Sequence, residues 1–359
     1  MMNKLDIYIM KKFLGTFFLA ISLIIIIVVI FDISENIDDL ITSEAPLNEI
    51  IFDYYLNFIP YFVNLFSPLF TFIAVIYFTS KMATHSEIIS ILSSGVSFTR
   101  MLRPYMVTAF LLTVMSFYLA NFLIPYTNIN LWNFKYAYIK NKYYNDNRNI
   151  HMQIAPGAFV YVESYNVDDN RGTRFTIEHF KDGVLYYKMN ANSIVWDSTT
   201  QKWTINNYSI HLFSGLQEKL ITGIRKDTAI NLTPADFHKK LDNLDVMNFT
   251  QLRKFIKDER LKGSDNIRFY EMEKHKRLAF PFSTFILTLI GVSVSSRKVR
   301  GGVGIHIAIG LALTFTYIFF MRITETFSTY SSLPPAAAAW LPNLLFAVIA
   351  FYMVRKAPK

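Results

Sequence analysis

The chain has 359 residues, 52% of them apolar and 16% aromatic, with only 18% charged and a formal net charge of +9. That balance argues against one large soluble domain and for a membrane protein. With no cysteine, neither a disulfide nor a thiolate metal site can hold the fold together.

Crossing about 30 Å of hydrocarbon takes roughly 20 apolar residues in a helix, and six runs qualify: 13–31, 54–78, 104–125, 278–295, 303–321 and 340–354. The first, "FLGTFFLAISLIIIIVVIF", carries no charge. It exceeds the apolar core of a signal peptide and no small-residue cleavage site follows it, so it reads as a retained span. Three spans precede a polar stretch and three follow it.

Lys and Arg near span ends set orientation. Lys4, Lys11 and Lys12 precede span one; Lys81, Arg100 and Arg103 lie between spans two and three. Arg297, Lys298 and Arg300 lie between spans four and five, and Arg355, Lys356 and Lys359 follow span six. The opposite loops carry Asp32, Glu35, Asp38 and Asp39 after span one and Arg322 after span five. Both termini are therefore expected in the cytoplasm. The basic segments hold only Asp6 and Glu87 as acids, so their surplus accounts for the whole positive charge. It is a topology signal, and no nucleic-acid partner is implied.

In span two, Asn57, Tyr61, Asn64 and Pro68 share a face, which either lines a polar cavity or holds a neighbouring helix. The segment that follows, "THSEIISILSSGVSFTRM", places Ile88, Ile89, Ile91 and Leu92 at helical spacing. Ser86 is expected to cap that short helix, Glu87 suits its first turn and Gly95 ends it. On spacing alone it is either an interfacial helix buried in lipid or a docking surface for a separate motor subunit.

The polar stretch must then lie outside the cytoplasm. Between 153 and 231 it alternates polar and apolar residues in short runs such as "AFVYVESYNV", "TRFTIEHF", "VLYYKMNANSIVWD" and "KWTINNYSIHLF", separated by "DDNRG", "KDG" and "STTQ". That pattern predicts an all-β sandwich or jelly roll whose edge strand could accept a partner's strand. A helical connector is expected over 249–262, with Leu252, Phe255, Ile256 and Glu259 at helical spacing.

"GGVGIHIAIG" looks superficially like a dinucleotide fingerprint, but it opens a span after a basic turn. Gly304, Ala308 and Ala312 recur every four residues, as on a helix-packing face; His306 is either a proton carrier or a packing residue. Phosphate-loop, H-E-x-x-H and G-x-S-x-G motifs are all missing, so no catalytic residue, metal or cofactor is assigned and any ATP hydrolysis belongs elsewhere. Phe66 and Phe70 in span two and Phe315 and Phe319 in span five can line an apolar cavity, or simply pack.

Four separated motifs resemble one family. "LDIYIMKKF", "SEIISILSSGVSFTRM", "NLTPADF" and "YEMEKHKRLAFPFSTFILTLIGVSVS" are similar to conserved stretches of the lipopolysaccharide-export permeases of the LptF/LptG (YjgP/YjgQ) family. The likeness covers almost the whole chain. It implies an α-helical membrane protein of six transmembrane helices, three plus three, with an inserted extracytoplasmic all-β jelly-roll-like domain. Its parts would be 1–131 (an interfacial helix and spans one to three), 132–247 (the periplasmic β-domain) and 248–359 (connector and spans four to six).

The implied function is the permease subunit of an ABC transporter in the inner membrane of a Gram-negative bacterium. Such a subunit extracts lipopolysaccharide and passes it to a periplasmic bridge protein of jelly-roll fold. The implied partners are an ABC ATPase dimer, a second permease of the family and that bridge. Ser86, Glu87, Ile88, Ile91 and Gly95 would form the ATPase-coupling helix, and Phe66, Phe70, Phe315, Phe319 and Arg322 the substrate cavity. LptG-type members carry bases at the outer end of span one where this chain has acids; Lys135, Lys140, Lys142, Arg322 or a partner would supply the positive charge instead. The competing classes are a lipoprotein-releasing ABC permease, which usually inserts its domain after span one, and a membrane scaffold without transport.

Overall fold

The computed structural model describes residues 3–42, 45–139, 148–166, 169–215, 217–237, 244–261, 263–264, 266–296, 302–331 and 333–357. Of the basic residues used above, Lys140, Lys142, Arg297, Lys298, Arg300 and Lys359 lie outside them. Two compact units result: residues 1–139 with 268–359, and residues 140–267.

Among the described residues, six helical stretches are long and apolar enough to cross a membrane: Lys4–Thr42, Leu47–Thr84, Phe98–Ile139, Ile267–Ser295, Gly304–Tyr330 and Pro335–Lys356. The three-plus-three fold with an inserted β-domain is thus borne out. Each helix is longer than its hydropathy run because helices continue past the hydrocarbon into polar residues that the run does not register. We name α1 (Lys4–Thr42), α2 (Leu56–Thr84), α3 (Glu87–Ser93), α4 (Phe98–Tyr118), α5 (Ile124–Phe134), α6 (Phe249–Leu261), α7 (Ile267–Ala279), α8 (Ser283–Ser295), α9 (Gly302–Tyr330) and α10 (Pro335–Lys356).

Helix α1 has 39 residues, about 58 Å at 1.5 Å each. Its buried positions, Asp6, Ile9, Phe13, Phe17 and Ile21, form a stripe three or four residues apart confined to its first half. Beyond it Leu23, Ile26, Ile27, Ile30 and Phe31 are exposed. One apolar cluster joins Ile9 and Phe13 of α1 with Phe78 and Met82 of α2, Ile88 of α3, Met101 and Tyr105 of α4, and Ala357 beyond α10. The two chain ends therefore meet at one end of the helical unit.

Span four is broken: α7 ends at Ala279, a short 3-10 turn spans Phe280–Phe282, and α8 resumes at Ser283. Pro281 lacks the N–H that a continuous helix needs. Carbonyls around the break take side-chain donors. Asn343 of α10 donates to Ala279 O at 2.7 Å, Ser283 to Phe280 O at 2.6 Å and Thr113 of α4 to Pro281 O at 3.3 Å, as polar backbone inside a membrane requires.

In the second unit, β1 (Arg148–Ala155), β2 (Ala158–Asn166), β3 (Arg171–Lys181), β4 (Val184–Asp197), β5 (Lys202–Ser214) and β6 (Gln217–Thr228) form one antiparallel sheet in sequential order. Lys181 pairs with Val184, leaving Asp182 and Gly183 as a two-residue turn with φ of 51° and 79°, the type I′ geometry that Asp-Gly favours. Inward residues Val160, Val162, Phe175, Ile177, Ile194 and Trp203 build the core. The "NLTPADF" segment closes it: Thr233 N–H and Oγ1 both donate to Asp236 at 2.9 Å, which caps a turn and directs Leu232 and Phe237 into the core. Phe237 stacks on Tyr165 at 4.1 Å, and Trp203 donates to Leu232 O at 2.7 Å. Helix α6 belongs to this unit and packs its Leu252 and Ile256 side inward.

Candidate functional site

Helix α2 turns almost directly into α3. Only His85 and Ser86 intervene, and Ser86 adopts φ 63°, a left-handed conformation unusual for a residue with a side chain. The expected Ser86 cap is not made by its hydroxyl. Its carbonyl instead accepts the Ser90 N–H and Ser90 Oγ, each at 3.0 Å. Gly95 ends the helix with φ 86°, its N–H donating to Leu92 O at 3.1 Å, the C-terminal role for which glycine is suited. Ser97 then opens α4 by accepting the Arg100 N–H at 3.3 Å.

The short helix presents two different faces. Ile88 is 1% exposed and sits in the shared apolar cluster, with Ile91 and Leu92 packed beside it. Ile89 is 55% exposed. Ser90, Ser93 and Ser94 are exposed too, but their hydroxyls bond back to carbonyls of the same segment at 2.7–3.1 Å, so they offer little to a partner. The outward feature is therefore Ile89, which sequence reasoning did not single out for the contact; Ile88 is the internal anchor.

Glu87 is held from the side by α1. Tyr8 Oη donates to Glu87 Oε2 at 2.9 Å, and Lys12 Nζ lies 3.9 Å from Oε1 and 4.6 Å from the Tyr8 ring centre. Two residues before Tyr8, Asp6 receives two hydrogen bonds of 2.7 Å from the Arg100 guanidinium. Asp6 also accepts the Asn3 N–H at 2.9 Å, capping its own helix.

The expected cavity residues do not come together within this chain. Phe66 and Phe70 pack edge to face, 6.4 Å apart, at the far end of a ladder that starts at Tyr54, just before α2, and continues through Phe58 and Phe62. Phe315 and Phe319 are 60% and 67% exposed on the outer side of α9. Arg322 donates to Glu325 at 2.9 Å, and Glu325 also receives Lys276 at 3.1 Å. A separate open cavity of about 560 Å³ lies at the C-terminal end of α1, lined by Ile33, Leu40, Ile41, Leu47, Ile51 and Tyr55. Nearby, Tyr54 donates to Asp32 at 3.3 Å, and the Lys135 ammonium lies 5.6 Å from the Tyr54 and Trp132 ring centres.

Gly304, Ala308 and Ala312 are exposed, and a Cβ on Gly304 would meet nothing within 4 Å. Within the chain α9 packs through the neighbouring face instead, with His306, Gly310, Thr314 and Tyr317 buried. In span two, Asn64 accepts from Ser116 of α4 at 2.7 Å, and Asn57 donates to Phe52 and Asp53 carbonyls. Of that stripe, Asn64 ties α2 to α4, whereas Asn57 bonds back within its own helical stretch.

The sequence matches the family model for the lipopolysaccharide export system permease LptF/LptG over residues 7–356. It is also similar to the lipopolysaccharide export system permease protein LptG of Escherichia coli (strain K12), 20% identical over 317 residues, which is 84% of each chain.

Proposed function

The chain belongs to the lipopolysaccharide export system permease LptF/LptG family, and from that premise we propose how its parts divide the work. It is a lipopolysaccharide export permease of the inner membrane, a transporter subunit and not an enzyme, and ATP hydrolysis resides on a separate subunit. Withdrawing several acyl chains from a bilayer loses about 0.8 kcal/mol for each CH₂. An external source of energy is therefore needed, and α3 is where it enters this chain.

The observation that carries the docking assignment is a surface helix whose exposed Ile89 is backed by the buried Ile88 and flanked by Glu87. A small apolar knob on a fixed base suits a groove on a rigid partner. Ser86 and Gly95 set the helix ends, and Ile91 helps to seat it. Clustering of both chain ends with α3 in one apolar core supports their lying on one side of the membrane, and the Lys/Arg bias of the short loops argues that this side is the cytoplasm, with the β-domain in the periplasm.

The exposed outer half of α1, with Phe315 and Phe319 on α9 and the small-residue face of Gly304, Ala308 and Ala312, supports pairing with a second permease of the family. Lipid would enter where those faces meet, with Phe66 and Phe70 on the inner wall and Arg322 or Lys135 near the headgroup. Sheet edges β1 and β6 are suited to strand pairing with a bridge protein.

Site-specific photocrosslinking from Phe66, Phe315 and the core strand position Val160, in membranes with ATPase and ATP, tests the assignment. Lipopolysaccharide captured at Val160 only when ATP is present is the expected result. Capture of ordinary phospholipid at the spans and nothing at Val160 would overturn the route through this chain.

A further inference from the structure

We propose that Arg100, Asp6 and Tyr8 are positioning residues that transmit movement of the α3 segment to span one, with α1 as the lever. The inference rests on α3 being the ATPase-docking helix and goes beyond it by naming the path that force takes.

Two polar ties join α1 to opposite ends of the segment between α2 and α4. At its start Tyr8 holds Glu87; just past its end Asp6 holds Arg100. They differ in strength. The Asp6 side chain is 8% exposed and engages the Arg100 fork through both oxygens, the geometry of the strongest charge-assisted bonds. The Tyr8 bond is a single contact at the surface. The Lys12–Glu87 pair, at 3.9 Å and about one-third exposed on each side, falls in the class that contributes little. Between the two ties Ile9 packs into the same cluster as Ile88 and Met101, so the segment and the opening turns of α1 form one body.

What α1 does with that attachment follows from its build. It is a single uninterrupted helix, free of proline. By contrast α2 contains Pro60 and Pro68, and span four is broken at Pro281. Of these three spans α1 is the one without a proline bend, a property it shares with α9. Its buried stripe ends at Ile21; beyond it the helix is braced more lightly, by the partly buried Ile24, Ile25, Val28 and Leu40 and by the Tyr54–Asp32 bond, so the second half can follow the half that is held. Displacement at Asp6 would thus appear at Ile26 to Phe31, roughly 30–38 Å along the axis.

Asp6 also caps α1 through Asn3, so substitutions at Asp6 mix two effects. Arg100 and Tyr8 do not share that role, and they carry the test. Arg100→Gln, Arg100→Lys and Tyr8→Phe are introduced into the complete transporter, with ATPase and partner permease, in liposomes. ATPase co-purification, thermal stability, ATP hydrolysis and lipopolysaccharide released per ATP are then measured.

The expected result is that co-purification and hydrolysis stay near wild type in every variant. Release per ATP falls about tenfold in Arg100→Gln, a coupling loss of ordinary size, and about threefold in Tyr8→Phe. Arg100→Lys, which keeps the charge and loses the fork, recovers part of the deficit. Unchanged release per ATP in Arg100→Gln and Tyr8→Phe overturns the proposal. So does a loss of release that merely tracks lost hydrolysis or thermal stability. Ile89→Asp, measured alongside, reports on docking itself: an ATPase that still co-purifies with that variant removes the docking reading, whatever the Arg100 variants do.

Discussion

The side-chain amide of Asn343 donates to the carbonyl of Ala279 at 2.7 Å while its oxygen accepts the Tyr317 hydroxyl at 2.9 Å. One residue of span six thereby ties the broken end of span four to the middle of span five. Asn343 is 4% exposed and Tyr317 1%, so neither lost bond could be replaced by water.

Asn343→Leu is therefore expected to lower stability by about 1–3 kcal/mol, because it removes the side-chain donor on the Ala279 carbonyl and one of two partners of the Tyr317 hydroxyl, which also bonds Ser283. Tyr317→Phe should cost less, about 0.6 kcal/mol, the usual scale of one interhelical hydrogen bond in a membrane protein. Thermal unfolding of the purified chain in detergent measures both. A melting temperature for Asn343→Leu equal to wild type would show that the Pro281 break needs no such support.

The two neighbouring isoleucines of α3 should behave in opposite ways. Ile88→Ala removes a buried side chain from the cluster shared by α1, α2 and α4 and should cost about 2–4 kcal/mol of stability. Ile89→Asp should leave the melting temperature within about 0.5 kcal/mol of wild type while abolishing ATPase co-purification. If instead Ile88→Ala keeps its stability and Ile89→Asp loses it, the helix faces the other way.

How far these features were legible in the sequence depends on how local their causes are. Six spans could be read because membrane crossing demands about 20 apolar residues in a row. Strands β2 to β5 could be read because alternation and turn chemistry, Asp182–Gly183 above all, are local. Which isoleucine faces outward could not. Apolar residues at 88, 89, 91 and 92 share one arc of about 160° on the helix, with Ile89 at its edge, and only the tertiary neighbours decide whether that edge is covered. The Asp6–Arg100 pair spans 94 positions and has no local signature at all. On α9 the small residues offer two competing faces, Gly304, Ala308 and Ala312 against Gly310, and spacing alone cannot say which one this chain covers.

In the β-domain, Asp197 accepts from Thr199 N–H and Oγ1 and from Thr200 Oγ1 at 2.6–2.9 Å. These bonds favour the ionised carboxylate and lower its pKa from 3.8 to about 2. A depressed pKa in the folded state contributes stability that is complete above the unfolded value and fades as pH falls through the folded one. Asp197→Asn should therefore melt below wild type at pH 7, and the gap should close between about pH 4 and pH 2. Tryptophan fluorescence, dominated in this region by Trp196 and Trp203, follows the transition. A gap that stays constant with pH would mean that the carboxylate charge does not support the turn.

The last prediction separates the two small-residue faces of α9. A Cβ on Gly310 would collide with the Ile76 side chain and approach Phe72 at 3.5 Å, whereas one on Gly304 meets empty space. Gly310→Val asks Ile76 to move in a packed cluster and should destabilise the isolated chain by about 1–3 kcal/mol, the usual cost of overpacking. Gly304→Val should leave the isolated chain unaffected. If the Gly304 face meets a second permease, its effect should surface only when two subunits assemble, as a lower yield of the pair at unchanged stability of the single chain. Equal pair yield for Gly304→Val and wild type would assign that face to lipid, and the close approach of small residues would then serve only the Gly310 side.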